Sequence, residues 1–250
     1  MLVNKNLVEQ RFSRASDSYQ NDANVQAVMA RELIDRVESQ PYDEILEIGC
    51  GTGLLSKMIA DNLDFKHLIL NDISKSMLLH CKNAVPESER VSYLIKDAES
   101  LDFKEQDRFD LIISNACLQW MSDLEKVLKD FKYYLKDNGC LAFSIFSEGN
   151  FAEIKHCSGL SLAYKYQKTL QKMLSGIFPC YTLMPREIVL YYKDVKSMLR
   201  SFKRTGVSGL SGRIWTKTQL NEFIEKYEQN YKSDKGVRLT WKWHYVIAYK

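Results

Sequence analysis

Residues 45–56 read ILEIGCGTGLLS, and this stretch decides the fold. The apolar run through Ile48 has the composition of a buried strand, the three glycines at 49, 51 and 53 make a tight turn, and Leu54 onward suits a helix. The turn also restricts what can sit on it. In a dinucleotide fingerprint the last glycine falls where this chain has Leu54, so a nicotinamide cofactor is disfavoured. No Gly-Lys-Ser/Thr follows, so a nucleoside triphosphate has no cradle. What remains is a strand-to-helix turn whose backbone can approach an adenosine bearing an amino-acid tail.

Outward from the turn, apolar strand-like and helical segments alternate. Strands are expected at 43–48, 67–71, 91–95, 109–114 and 139–146, and helices at 53–63, 75–84 and 122–135. That rhythm predicts an α/β fold with a mostly parallel sheet and helices on both faces. Segment 97–107 is too polar and short to read as a firm crossover helix. Upstream, Val8, Phe12, Ala15 and Tyr19, then Val25, Met29, Leu33 and Val37, recur at helical spacing, and Pro41 ends the helical region. After Phe146 the alternation fails. Residues 152–175 and 193–203 read as lysine-bearing helices, 187–192 as a strand, and RLTWKWHYVIAY at 238–249 as a β-prone run that completes the sheet. We expect one domain over 1–250, with a helical lid at 1–40, a cofactor-binding core at 41–148, a basic insertion after the fifth strand at 150–205, and a closing helix and strand at 206–250.

The charge is unevenly placed. Residues 1–150 carry 17 Lys/Arg against 25 Asp/Glu, and residues 151–250 carry 18 against 7, so an acidic half (−8) precedes a basic one (+11). A basic half suits an anionic partner, or is simply a solvated lysine surface. The six cysteines show neither C-x-x-C nor metal-ligand spacing with histidine, which argues against a zinc site and a disulfide framework. No apolar stretch approaches the roughly 18 residues of a membrane span, so a soluble, cytoplasmic protein is expected.

Two acids stand at the ends of the next strands. Asp72 closes LILND, 19 positions after Gly53, where a carboxylate can accept both ribose hydroxyls. Asp97 follows the third strand, where it can accept the exocyclic amine of adenine while the Ala98 amide faces the ring. With LEIGCGTG, LILNDIS and IKDA in view, residues 45–98 resemble the class I S-adenosylmethionine-dependent methyltransferases, whose fold is Rossmann-like. The resemblance implies S-adenosyl-L-methionine as cofactor. It implies further that Glu47 or the loop backbone meets the methionine ammonium, that Gly49, Gly51 and Gly53 let the ligand lie close, that Ile73 and Met77 line the site, and that Asn115 meets the methionine portion of the cofactor.

A narrower resemblance spans residues 12–249. FSRASDSYQNDANVQ, SNACLQW, SEGNFAEI, MLRSFKRTGV, TKTQL and LTWKWHYVIAY together are similar to the malonyl-acyl-carrier-protein O-methyltransferases of biotin synthesis, the BioC family. It implies esterification of a free carboxylate on acyl carrier protein, a reaction that requires positioning and a dry aromatic site rather than a general base. The four histidines show no spacing with Ser or Cys that singles out a nucleophile. On this resemblance Tyr19, Gln119 and Trp120 border the reacting groups, Phe12, Phe146 and Phe151 wall the acceptor pocket, and Arg200, Lys203 or Arg204 holds the acceptor carboxylate. Lys165, Lys168, Lys172, Lys193 and Lys196 would dock the acidic carrier. Two other readings compete: a carboxyl methyltransferase of a small free acid, of the trans-aconitate type, and an RNA-binding methyltransferase that uses the basic half.

Overall fold

The computed structural model describes residues 24–160, 164–204 and 215–250. Its centre is one sheet in the order β3-β2-β1-β4-β5-β8-β6, with the two-residue β7 (Lys232–Ser233) paired to β8. Strands β1 (Tyr42–Ile48), β2 (Phe65–Asp72), β3 (Val91–Ile95), β4 (Phe109–Asn115) and β5 (Leu135–Phe146) are mutually parallel. β8 (Gly236–Tyr249) runs antiparallel between β5 and the edge strand β6 (Cys180–Tyr192). The chain leaves β1 toward β2 on one side and reaches β4 on the other, so a crevice opens at the carboxyl ends of β1 and β4.

Helices cover both faces. On one lie α1 (Asn24–Ile34), α2 (Leu54–Asn62), α3 (Lys75–Ala84), α5 (Ala152–Ser158), α7 (Val195–Arg204) and α8 (Lys217–Tyr231). On the other lie α4 (Leu124–Tyr134) and α6 (Gln167–Ile177). α4 shows why such segments fold as they do. Leu124, Val127, Leu128, Phe131 and Tyr134 recur at helical spacing and are buried, while Glu125–Lys129 and Lys126–Asp130 pair on the wet face. Asp123 caps its start by accepting the Lys126 amide at 3.0 Å. TKTQL starts α8 through a capping box in which Thr216 and Gln219 satisfy each other's amides.

The expected core elements recur with shifts of a residue or two at their ends, except that β5 begins at Leu135, directly after α4. Segment 97–107 holds only a 3-10 turn at Ala98–Ser100. The region after β5 needs two corrections. The helix expected over 152–175 is two helices, because Gly159 ends α5 in a left-handed conformation at φ 70°. The strand expected at 187–192 begins at Cys180 and joins the sheet along its full length. Pro185 sits within it without penalty because β6 pairs on one side only, and a missing N–H on the open edge breaks no ladder bond. Among the described residues, no helix is long and apolar enough to cross a membrane.

Candidate active site

A cleft with about 770 Å³ of atom-free space opens where β1, β2, β3 and β4 end. Gly49, Gly51, Asp72, Ile73, Met77, Asp97, Ala98, Asn115 and Trp120 all line it, so nine residues chosen from the sequence converge there. The lining also includes Asn71, Lys96, Ala116, Cys117 and Met121, which sequence reading missed. Ala116 and Cys117 lie inside the SNACLQW motif; Met121 follows it directly, and only that adjacency could have flagged it.

The glycine turn is held by hydrogen bonds to the end of β2. The amides of Gly49 and Cys50 donate to the Asn71 carbonyl at 2.8 and 2.9 Å, and the Gly51 amide donates to Asp72 Oδ2 at 2.9 Å. Asp72 Oδ1 accepts the Ser74 amide at 2.8 Å, so this 8% exposed carboxylate is anchored through both oxygens. Asp97 Oδ1 accepts the Glu99 amide at 3.0 Å, fixing its carboxylate at the mouth of the next strand.

The three glycines have different duties. All have positive φ, but only at Gly51 would an added Cβ meet no protein atom within 4 Å, so only there does the backbone face open space. A Cβ on Gly49 would strike Cys117 Sγ at 2.3 Å, and one on Gly53 would stand 3.0 Å from Ala84 Cβ and 3.1 Å from Cys81 Sγ. Gly53 is outside the cleft lining, and its missing side chain lets α2 pack close to α3.

Glu47 also departs from expectation. It is 1% exposed, is absent from the cleft wall, and has an Oε2 without a hydrogen-bond partner among the described residues. Burial, with Cys81 and Asp72 nearby, pushes its carboxyl well above the ordinary range. A buried carboxyl biased toward its protonated form, outside the cleft lining, is poorly placed to hold an ammonium.

On the β4 side the wall is strained and braced. Ala116 has φ 50°, fixed by its amide on Ser144 Oγ at 2.9 Å and by Gln119 Nε2 on its carbonyl at 2.6 Å. Asn115 donates from Nδ2 to the Gln26 carbonyl at 3.0 Å and accepts from Ser144 Oγ at 2.6 Å, so its amide ties α1 to the sheet. Gln119 does not line the cleft. Burial pushes the Cys117 thiol up to about 12, which keeps it protonated beside the site.

Phe146 and Phe151 do not line the cleft either. They sit in an aromatic cluster with Phe202 and Trp241, where Phe151 lies 4.7 and 4.6 Å from those rings. Arg200 is exposed on α7. Phe12 and Tyr19, and the side chains of Lys203 and Arg204, lie outside the described residues. Lys165, Lys168 and Lys172 belong to the α6 region, Lys193 and Lys196 to the start of α7; the two sets therefore flank β6 on opposite faces of the sheet.

Residues 46–143 match the family model described as a methyltransferase domain. The chain is 33% identical to the malonyl-[acyl-carrier protein] O-methyltransferase of Bacteroides thetaiotaomicron, over 99% of both chains. It belongs to the malonyl-acyl-carrier-protein O-methyltransferase family. The fold is likewise that of class I methyltransferases. The YcgJ protein of Bacillus subtilis aligns over 89% of this chain and 97% of its own with a TM-score of 0.67 at 17% identity. The phosphoethanolamine N-methyltransferase 2 of Haemonchus contortus, solved with S-adenosylhomocysteine, aligns over 91% of this chain and 52% of its own with a TM-score of 0.57 at 16% identity. The chain is thus an S-adenosyl-L-methionine-dependent methyltransferase, and its cleft fits that cofactor: open space over Gly51 and carboxylates at the ends of β2 and β3.

Proposed function

We propose that this enzyme transfers a methyl group from S-adenosyl-L-methionine to the free carboxylate of malonyl-acyl carrier protein, giving the methyl ester that starts pimeloyl synthesis for biotin. One observation carries the reading: similarity to a malonyl-[acyl-carrier protein] O-methyltransferase extends over 99% of both chains, well past the matched methyltransferase domain. The bound cofactor supplies an electrophilic methyl group on a sulfonium. Asp72 would receive the ribose hydroxyls and Asp97 the adenine amine, with Ile73, Met77 and Ala98 beside the ring.

The acceptor needs no base, since a carboxylate with a reference pKa of roughly 4 is ionised at neutral pH. The wall that Trp120, Met121, Ala116 and Cys117 form is poor in ionisable groups, which suits a reaction that cancels charge. The protonated Cys117 thiol is not a competing nucleophile. Tyr19 and Phe12 would close the site, and Arg200, Lys203 or Arg204 would hold the acceptor carboxylate.

The carrier docks at the carboxyl edge of the sheet, in the cytoplasm. The α6 start lies at that edge, since Gln167 Oε1 is 3.4 Å from His244 Nε2 and His244 pairs with Ile145 near the end of β5. The α7 start follows Tyr192, the last residue of β6, at the same edge. Lys165 and Lys168 therefore approach it from one face, and Lys193 and Lys196 from the other.

The test offers labelled S-adenosylmethionine with malonyl-acyl carrier protein, malonyl-coenzyme A and trans-aconitate in parallel, and assays base-labile ester. Label on the carrier-bound malonyl group is expected. Label on trans-aconitate alone would overturn the substrate assignment, and salt-sensitive RNA binding with no ester formed would favour the nucleic-acid reading.

A further inference from the structure

Two walls of the cleft come from distant parts of the chain. Lys96, Asp97 and Ala98 follow β3, whereas Trp120 and Met121 follow β4. In the sheet order β2 and β1 stand between those strands, so no β3–β4 ladder fixes the distance from one wall to the other.

Glu99 spans that gap. Its Oε1 accepts the Asp123 amide at 2.8 Å and its Oε2 the Ser122 amide at 3.1 Å. Ser122 directly follows Met121, and Asp123 is the N-cap of α4. At the other end, the Glu99 amide donates to Asp97 Oδ1 at 3.0 Å. One residue therefore holds the Asp97 carboxylate with its backbone and the segment after Met121 with its side chain. Glu99 does not itself line the cleft, so it reaches a ligand only through residues that do.

The residue type suits the task. Two neighbouring amide donors need two acceptor oxygens, and an ionised carboxylate offers both, whereas a carboxamide would turn an N–H toward one of them. Charge also strengthens each bond. Support of α4 alone does not account for the pair. Asp123 already caps that helix by accepting the Lys126 amide, and the Ser122 amide lies outside it.

We propose that Glu99 is a positioning residue for the adenine of the cofactor: it fixes the β3 wall against the β4 wall, so that Asp97 meets the ring in one orientation. This role rests on Asp97 receiving the adenine amine. A binding group keeps its geometry only as well as the residues behind it hold it.

The test is calorimetric titration of the full chain with S-adenosylhomocysteine and with S-inosylhomocysteine, in which a ring carbonyl replaces the exocyclic amine. A carboxylate accepts from the amine and opposes the carbonyl, so the wild type should prefer the adenine ligand. In Glu99→Ala, affinity for S-adenosylhomocysteine should fall about tenfold and that for S-inosylhomocysteine less than about threefold, which shrinks the preference. Asp123→Ala is the control. It removes the α4 cap but keeps both backbone amides, so it should lower thermal stability while leaving both affinities within about twofold.

Equal losses for the two ligands in Glu99→Ala, no loss for either, or the same erosion of preference in Asp123→Ala would overturn the proposal. Should Glu99→Ala not fold, Glu99→Gln decides: with one acceptor left it should still show a reduced preference, and a wild-type preference overturns the role. A wild-type chain that binds both ligands equally would take the adenine from Asp97, and the proposal with it.

Discussion

The Gly51 amide donates to Oδ2 of Asp72 across 2.9 Å, and this bond couples the turn after β1 to the end of β2. The same carboxylate accepts the Ser74 amide that starts α3, so one acid fixes two elements of the cofactor cleft. Its contribution to binding and its contribution to folding are inseparable at this residue.

Asp72→Asn leaves one acceptor oxygen for two backbone donors and turns an N–H toward one of them. The expected cost is about 1–3 kcal/mol of stability, with at least a tenfold loss in S-adenosylhomocysteine affinity. Chemical denaturation and calorimetry read the two effects. Unchanged affinity would remove the ribose from this carboxylate.

Gly51 and Gly53 separate what Asp72 joins. Gly51→Ala puts a methyl into open cleft space, so binding should collapse while stability falls only by the roughly 1–2 kcal/mol of a left-handed alanine. Gly53→Ala adds contacts of 3.0 to 3.2 Å with Ala84 and Cys81 to the same backbone strain at φ +90°. It should lose more stability than Gly51→Ala and lose binding only as far as the fold is lost. Thermal unfolding with and without S-adenosylhomocysteine distinguishes the pair; equal effects on both variants would contradict the division.

Much of the cleft lining was legible in the sequence because that part of the fold is built locally. A strand end, a glycine turn and an acid two strands away are each written in a few consecutive residues, and the parallel sheet brings them together without further instruction. Gly53 lies outside the cleft lining and against α3, and motif spacing alone cannot tell such a glycine from one that faces a ligand. Phe146 and Phe151 pack on Trp241 rather than line this cleft, and aromatic residues after a strand look alike in sequence in either setting. The first half of β6 was missed because Pro185 and exposed polar residues mask an edge strand that needs pairing on one side only.

Glu47 gives a pH dependence whose sign is opposite to that of a paired carboxylate. In the folded chain its carboxyl binds a proton more tightly than at its ordinary value of 4.5, chiefly because it is buried and because Cys81 and Asp72 lie near. Between that value and the raised one, folding takes up a proton, so stability is largest below the window and falls as the pH rises through it. Glu47→Gln cannot ionise. Its stability should gain on the wild type steadily as the pH rises above about 5, as measured by denaturant unfolding. Parallel curves would mean that Glu47 is ionised in the folded protein.

The lysines at the sheet edge test how the carrier arrives. Lys165 and Lys168 stand at the start of α6, and Lys193 and Lys196 at the start of α7, on opposite faces but at one edge. Exposed charges of this kind act mainly on encounter and orientation, and salt screens them over about 8–10 Å. Reversing either pair to glutamate should lower kcat/KM for malonyl-acyl carrier protein by about tenfold at low salt and flatten its salt dependence. Malonyl-coenzyme A, which has no acidic protein surface, should be used as before. If both pairs matter, the carrier straddles the end of β6; if one reversal alone has an effect, the carrier docks on that face. If neither changes the rate, carrier recognition does not use these lysines, and the basic half of the chain is a solvated surface.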